Sequence, residues 1–128
     1  VRPGLTVTRG ATDAMPDDTR AVRDALRYIR DHAYDGTSVK NIVRATGVSQ
    51  AGLYRQFKLA GRQTPHRELR AVQMNHARRL LAETLDPLRE IAGRSGFKDV
   101  NYFIRVFSRE QGMTPTQFRH SMAPMRSD

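Results

Sequence analysis

The chain has no cysteine and no tryptophan. Without thiols there is no disulfide framework, no cysteine-ligated zinc finger and no thiolate nucleophile. Its histidines, His32, His66, His76 and His120, are dispersed, and none belongs to an H-E-x-x-H pair. No serine sits in the glycine pattern of a nucleophile elbow. These absences argue against an enzyme and leave no expected metal or cofactor site; His76 reads as a surface or boundary residue. No apolar run approaches the roughly 20 residues of a membrane span, and the first residues lack the apolar core of a secretion signal. A cytoplasmic protein that makes no use of a membrane is expected, and a start at Val1 rather than methionine suggests a fragment or processed chain.

Acidic residues are also scarce. Thirteen Asp and Glu face 22 Lys and Arg, for a formal charge of +9 over 128 residues. Such an excess favours a polyanionic partner, because each phosphate neutralised by a basic side chain releases counterions. Charge alone does not separate DNA from RNA or an anionic membrane. The length fits one helical domain with a tail better than two large domains.

What the chain does contain is a repeat. Ile42-Val43-Arg44-Ala45-Thr46-Gly47-Val48, followed by Leu53 and Phe57, reappears as Ile91-Ala92-Gly93-Arg94-Ser95-Gly96-Phe97, followed by Phe103 and Phe107. In each copy an isoleucine belongs to a short helix, a glycine sits where the chain turns sharply, and two apolar residues four apart share one face of a second helix. Each copy reads as a helix-turn-helix. Ile91 follows Ile42 by 49 residues and Phe103 follows Leu53 by 50, so the second turn is expected to hold one extra residue.

The elements around the repeat follow from periodicity and caps. Residues 1–16, with Pro3, Gly4, Gly10, Pro16 and a short Leu5–Thr8 run, read as a linker or the edge of an upstream domain. From Asp17, the spacing of Val22, Ala25, Leu26, Ile29 and Ala33 predicts a helix that Gly36 stops. Thr37 or Ser38 caps a second helix with Val39, Ile42 and Val43 inward, and a third runs from about Gln50 to Ala60. Thr64-Pro65 opens a long fourth helix to about Thr84, with Leu69, Val72, Ala77, Leu80 and Leu81 buried. At ~1.5 Å per residue it spans about 30 Å, close to the roughly 34 Å turn of B-DNA. Asp86-Pro87 predicts the same cap-and-proline start for a helix through Arg94. A sixth helix covers about Asp99 to Gln111, and the T-x-x-Q of Thr114–Gln117 caps a seventh ending near Met122. The expected fold is all-α, with seven helices over residues 17–122 and a long central helix joining two helix-turn-helix units. Residues 123–128 read as a frayed tail.

With Leu53 and Phe57 inward, a step of about 100° per residue turns Ala51, Arg55 and Lys58 outward and puts Tyr54 on the flank. The same step from Phe103 and Phe107 exposes Asn101, Arg105 and Ser108, with Ile104 on the flank. Arginine can grip guanine O6 and N7 with two donors, and asparagine can pair likewise with adenine. Base-contact candidates are therefore Gln50, Ala51, Tyr54, Arg55, Val100, Asn101, Ile104 and Arg105. Lys58, Lys98 and Arg109 reach from helix ends and flanks and suit phosphate. Gly52 is an unfavourable residue for a helix interior, at about 1 kcal/mol relative to alanine, so the first unit is expected to discriminate less sharply.

Pro87-Leu88-Arg89-Glu90-Ile91-Ala92-Gly93-Arg94-Ser95-Gly96-Phe97, with Tyr102–Phe107 and Gly112–Arg119, resembles the C-terminal DNA-binding domain of AraC/XylS-family transcriptional regulators. The resemblance covers about Ala21 to Met122. It implies paired helix-turn-helix units inserting into successive major-groove segments of double-stranded DNA, with base-reading positions at Ala51, Tyr54, Arg55, Val100, Asn101, Ile104 and Arg105. Regulators of this family commonly contact RNA polymerase. Gly4–Asp13 is similar to the end of the sugar-sensing domain in xylose-type members, which implies a sugar effector bound by an upstream domain, a monomeric fragment and a dimeric full-length protein. Val48–Phe57 is also similar to the single helix-turn-helix of TetR-type repressors, against which the second copy counts. A basic helical module for RNA or protein partners is the alternative from another class.

Overall fold

The computed structural model describes residues 15–126, with side-chain burial defined for residues 20–122. The strand-like run at 5–8, the sensor-like stretch at 4–13 and the end of the expected tail lie outside the described residues. Within them the chain is all-α, with seven helices: α1 (Met15–His32), α2 (Val39–Thr46), α3 (Gln50–Leu59), α4 (Pro65–Glu83), α5 (Leu88–Arg94), α6 (Val100–Gln111) and α7 (Pro115–Arg126). A single 3-10 turn, Ala33–Asp35, follows α1, and Gly36 ends it in the left-handed region at φ 80°. That is the stop signal expected at Gly36.

The helices divide into two compact units. The first comprises residues 15–29 and 38–68, and the second residues 30–37 and 69–126. α4 is continuous across the boundary, so one long helix joins the α2–α3 pair to the α5–α6 pair.

In the first unit the α1 stripe is buried through Val22, Ala25 and Ile29, with Leu26 half-buried. Ile42, Leu53 and Phe57 are fully buried, as their spacing requires, while Val39 and Val43 are only half-buried. α3 leaves its C-terminus by a Schellman arrangement. The Arg62 N–H donates to the Phe57 carbonyl at 2.9 Å and the Gly61 N–H to that of Lys58 at 3.0 Å, with Gly61 at φ 73°.

In the second unit Met74, Ala77, Leu80 and Leu81 of α4 meet Ile91 and Ala92 of α5, Phe97 of the turn, and Phe103, Val106 and Phe107 of α6. Burying each large apolar side chain contributes about 1.5–3 kcal/mol. The rings of Phe97, Phe103, Phe107 and Phe118 form a ladder with centroid separations of 5.3, 5.8 and 5.7 Å. This ladder ties the turn to α6 and α6 to α7. The capping box at α7 forms reciprocally: the Thr114 N–H donates to Gln117 Oε1 at 2.9 Å and the Gln117 N–H to Thr114 Oγ1 at 3.1 Å.

Four local expectations need correction. α1 starts at Met15, two residues early, and α7 continues to Arg126, beyond the expected stop at Met122. Pro87 is the N-cap of α5 rather than its first residue, and Asp86 makes no cap. Asp86 instead pairs with Arg94 at 2.7 Å, because its carboxylate reaches the basic end of α5. On α4 the buried face includes Gln73 and Met74, while Val72 is half-buried. Gln73 is tolerated at 1% exposure because its amide donates to the Ala33 carbonyl at 2.9 Å and accepts from Arg70 at 2.8 Å.

Candidate nucleic-acid interface

Each second helix is launched by a side-chain cap. Ser49 Oγ accepts from the Gly52 N–H at 3.0 Å at the start of α3, and an Asp99 carboxylate oxygen accepts from the Asn101 N–H at 3.0 Å at the start of α6. The turn glycines take the left-handed conformation, Gly47 at φ 77° and Gly96 at φ 98°. From glycine to cap there is one intervening residue in the first copy, Val48, and two in the second, Phe97 and Lys98. The extra residue inferred from the changing offset is therefore real, and the copies differ in how they use it. Val48 is exposed, whereas Phe97 is buried in the core beneath α6.

Gly52 lies in the first turn of α3, not in the helix interior. A Cβ there would stand 3.0 Å from Ser49 Oγ, so the glycine leaves room for the cap that starts the helix. Its helix-propensity cost is offset by that hydrogen bond.

On α3 Gln50, Ala51, Arg55 and Lys58 are exposed and Tyr54 is half-buried. α3 carries no acidic residue. Tyr54, Arg55 and Lys58 share an open groove with Arg62, Gln63 and Arg67 from the entrance to α4. Of its four cationic side chains Arg62 alone has an ion-pair partner among the described residues, Glu68 at 3.3 Å. Sequence periodicity found the α3 side of this groove and missed Arg62 and Arg67, which lie past the helix end.

On α6 Asn101, Arg105 and Arg109 are exposed, and Lys98 is exposed in the turn. Val100 and Ile104 are half-buried and pack against the core of the second unit, which leaves only part of each for a ligand. Lys98 and Arg105 line one cleft with Asp99, Tyr102 and Arg70; Asn101 and Arg109 stand outside it. Arg70 and Tyr102 were not expected here. Tyr102, three residues before Arg105, was findable from helical spacing, whereas nothing local marks Arg70.

Among the described residues no group of histidine, aspartate and glutamate could hold a metal ion. None of their helices is long and apolar enough to cross a membrane. His76 is half-buried and stacks on Tyr34 with ring centroids 4.2 Å apart. Burial, aided by the positive charges of Arg79 and Arg94, lowers its pKa from the usual 6.5.

Two capped turns, each presenting an exposed basic helix, match the family model described as "Helix-turn-helix domain" over residues 42–121, which takes in both pairs. The chain belongs to the AraC/XylS-type helix-turn-helix regulators. It is a sequence-specific DNA-binding domain of a transcriptional regulator, a non-catalytic class. The model for bacterial regulatory proteins of the tetR family matches residues 22–58 alone, the part that holds one helix-turn-helix.

Among relatives of this AraC/XylS-type domain, the xylose operon regulatory protein of Escherichia coli K12 is 33% identical over 119 residues, 93% of this chain and 30% of that protein. The transcriptional activator RhaR of Salmonella dublin is 43% identical over 114 residues, 88% of this chain and 40% of that protein. The chain thus spans well under half the length of these curated relatives. The C-terminal domain of AraT, a response regulator from Geobacillus stearothermophilus, superposes with a TM-score of 0.73 at 29% identity, covering 79% of this chain and 84% of that one.

Proposed function

We propose that this domain reads one asymmetric stretch of about 17–20 base pairs as a monomer, placing α3 and α6 in successive major-groove segments roughly one helical turn apart. One observation carries the reading. Two capped turn-and-helix pairs, each with an exposed arginine at the equivalent position, are joined by a single continuous helix of 19 residues, about 28 Å at the α-helical rise. Arg55 and Arg105 are assigned to guanine edges, Asn101 to adenine, and Gln50, Ala51, Tyr54, Val100 and Ile104 to flanking base contacts. Lys58, Lys98 and Arg109 are assigned to phosphate, joined by Arg62 and Arg67 in the first unit's groove.

The xylose operon regulator among the relatives supports a role in sugar-responsive transcription, with xylose as the first effector to test. On this reading residues 1–16 lead from an upstream sensor domain that holds the sugar, the full-length regulator is a dimer, and a surface of the domain meets RNA polymerase.

Selection of sites from randomised duplex DNA, followed by footprinting on the winner, tests the core of the proposal. Two protected major-groove stretches about 10 base pairs apart are expected. Protection of one stretch points to a single-headed reader of TetR type, and stronger binding to structured RNA than to any duplex defeats the reading altogether. For the effector, the footprint of the full-length regulator should change when xylose is added.

A further inference from the structure

The ring of Tyr102 is shared by two guanidinium groups. Arg105 Cζ lies 5.5 Å from the ring centroid and Arg70 Cζ 5.7 Å from it. Both are within cation–π range. The two arginines are held very differently. Arg70 donates from one terminal nitrogen to Gln73 Oε1 at 2.8 Å and from the other to the Tyr102 hydroxyl at 3.1 Å. Gln73, itself buried, donates to the Ala33 carbonyl at 2.9 Å. A chain of hydrogen bonds thus runs from the 3-10 turn through α4 to the hydroxyl of Tyr102. Arg105 has no acidic partner among the described residues, and the ring of Tyr102, one helical turn before it, is its neighbour on α6.

We infer that Tyr102 is a positioning residue for base reading: anchored through Arg70 and Gln73, its ring restrains the guanidinium of Arg105 so that the two-donor edge is presented already ordered. The inference rests on Arg105 being a base-contacting residue. An arginine free to explore its rotamers loses that freedom on binding, and a side chain restrained beforehand loses less. The fixed positive charge of Arg70 adds to this. It disfavours a retreat of Arg105 against the protein and favours an acceptor-rich partner such as the guanine edge.

The experiment uses the selected duplex, its single-base variants at the position most sensitive to Arg105→Ala, and a random duplex. Arg105→Ala should lower base preference there roughly five- to a hundredfold. Tyr102→Leu should lower the same preference about two- to fivefold, the range of an exposed cation–π contact, and Tyr102→Phe, which keeps the ring but removes the hydroxyl that Arg70 holds, should lower it by less. In the Arg105→Ala background Tyr102→Leu should add nothing. Affinity for the random duplex and its salt dependence should stay unchanged in the Tyr102 variants. Tyr102 is 40% exposed but its ring lies 5.9 Å from that of buried Phe97, so the urea midpoint of each variant, measured separately from affinity, reports on folding.

An equal loss on every duplex in Tyr102→Leu would make the ring a backbone contact and overturn the positioning role. So would an unchanged preference in Tyr102→Leu beside a relaxed one in Arg105→Ala, a result that leaves the reading of Arg105 intact. A loss in Arg105→Ala that is blind to sequence overturns both.

Discussion

The carbonyl oxygen of Ala33 stands where a Cβ on Gly96 would have to go. Gln73 Nε2 would be 2.8 Å from the same Cβ and Tyr34 Cα 3.2 Å. Gly96 is therefore fixed twice, by its left-handed φ of 98° and by the 3-10 turn that closes over it. Gly47, its counterpart, has φ 77° and open space around it.

The two glycines should respond unequally to alanine. Gly47→Ala is expected to cost about 1–2 kcal/mol, the penalty of a left-handed L-residue. Gly96→Ala adds overpacking of about 1–3 kcal/mol and should reach about 3 kcal/mol or more. Equilibrium denaturation of both variants measures the gap, and equal costs would mean that the second turn yields easily.

Base contacts and phosphate contacts should separate by salt. Arg55→Ala and Arg105→Ala are expected to cost about 1–3 kcal/mol on the preferred duplex and to relax one or two base positions each. Lys58→Ala and Arg109→Ala should weaken binding to all sequences and lower the slope of log affinity against log salt by about 1 apiece. Titrations at several salt concentrations on preferred and scrambled duplexes provide the check.

Arg119 closes the C-terminal end of α4. Its Nε donates to the Leu81 carbonyl at 3.3 Å and its Nη2 to that of Thr84 at 3.1 Å, placing positive charge at the negative pole of the helix. Arg119→Met removes both bonds and should cost about 1–3 kcal/mol. The urea midpoint should fall with no change in m-value.

Stability should decline on acidification through His76. Its folded pKa lies below the unfolded 6.5, so the unfolded chain binds the proton more readily. The contribution of the neutral ring is complete above pH 6.5 and is lost as pH drops from there through the lowered folded value. His76→Phe keeps an aromatic ring for Tyr34 and removes the titration. Melting curves between pH 7.5 and 5.5 should show a smaller drop for this variant than for the parent chain.

Much of this molecule was legible because its signals are local. Ile42, Leu53, Phe57, Phe103 and Phe107 are buried where spacing put them, Thr114 and Gln117 cap each other, and Gly47 and Gly96 turn left-handed. What escaped is long-range or competitive. Gln73 is polar in sequence and buried in the fold, because a carbonyl 40 residues away completes its hydrogen bonding. Asp86 resembles a cap until Arg94, eight residues on, takes its carboxylate. Arg70 reaches Tyr102 across 32 residues, and no periodicity reports that contact. The outward faces of α3 and α6 followed from helical geometry, but the arrangement that steadies Arg105 required knowing which side of α4 meets α6.

The residue by which the second turn exceeds the first also sets the rule for building hybrids. An exchange of recognition residues between the copies has to be aligned from the caps, Ser49 with Asp99, which pairs Arg55 with Arg105 and Leu53 with Phe103. Aligned from the glycines, the same graft would set Arg55 on half-buried Ile104 and Leu53 on exposed Tyr102. A slip of one position turns a helix by about 100°. Such a chimaera would bring a guanidinium toward the core and lose its fold before its specificity could be assayed.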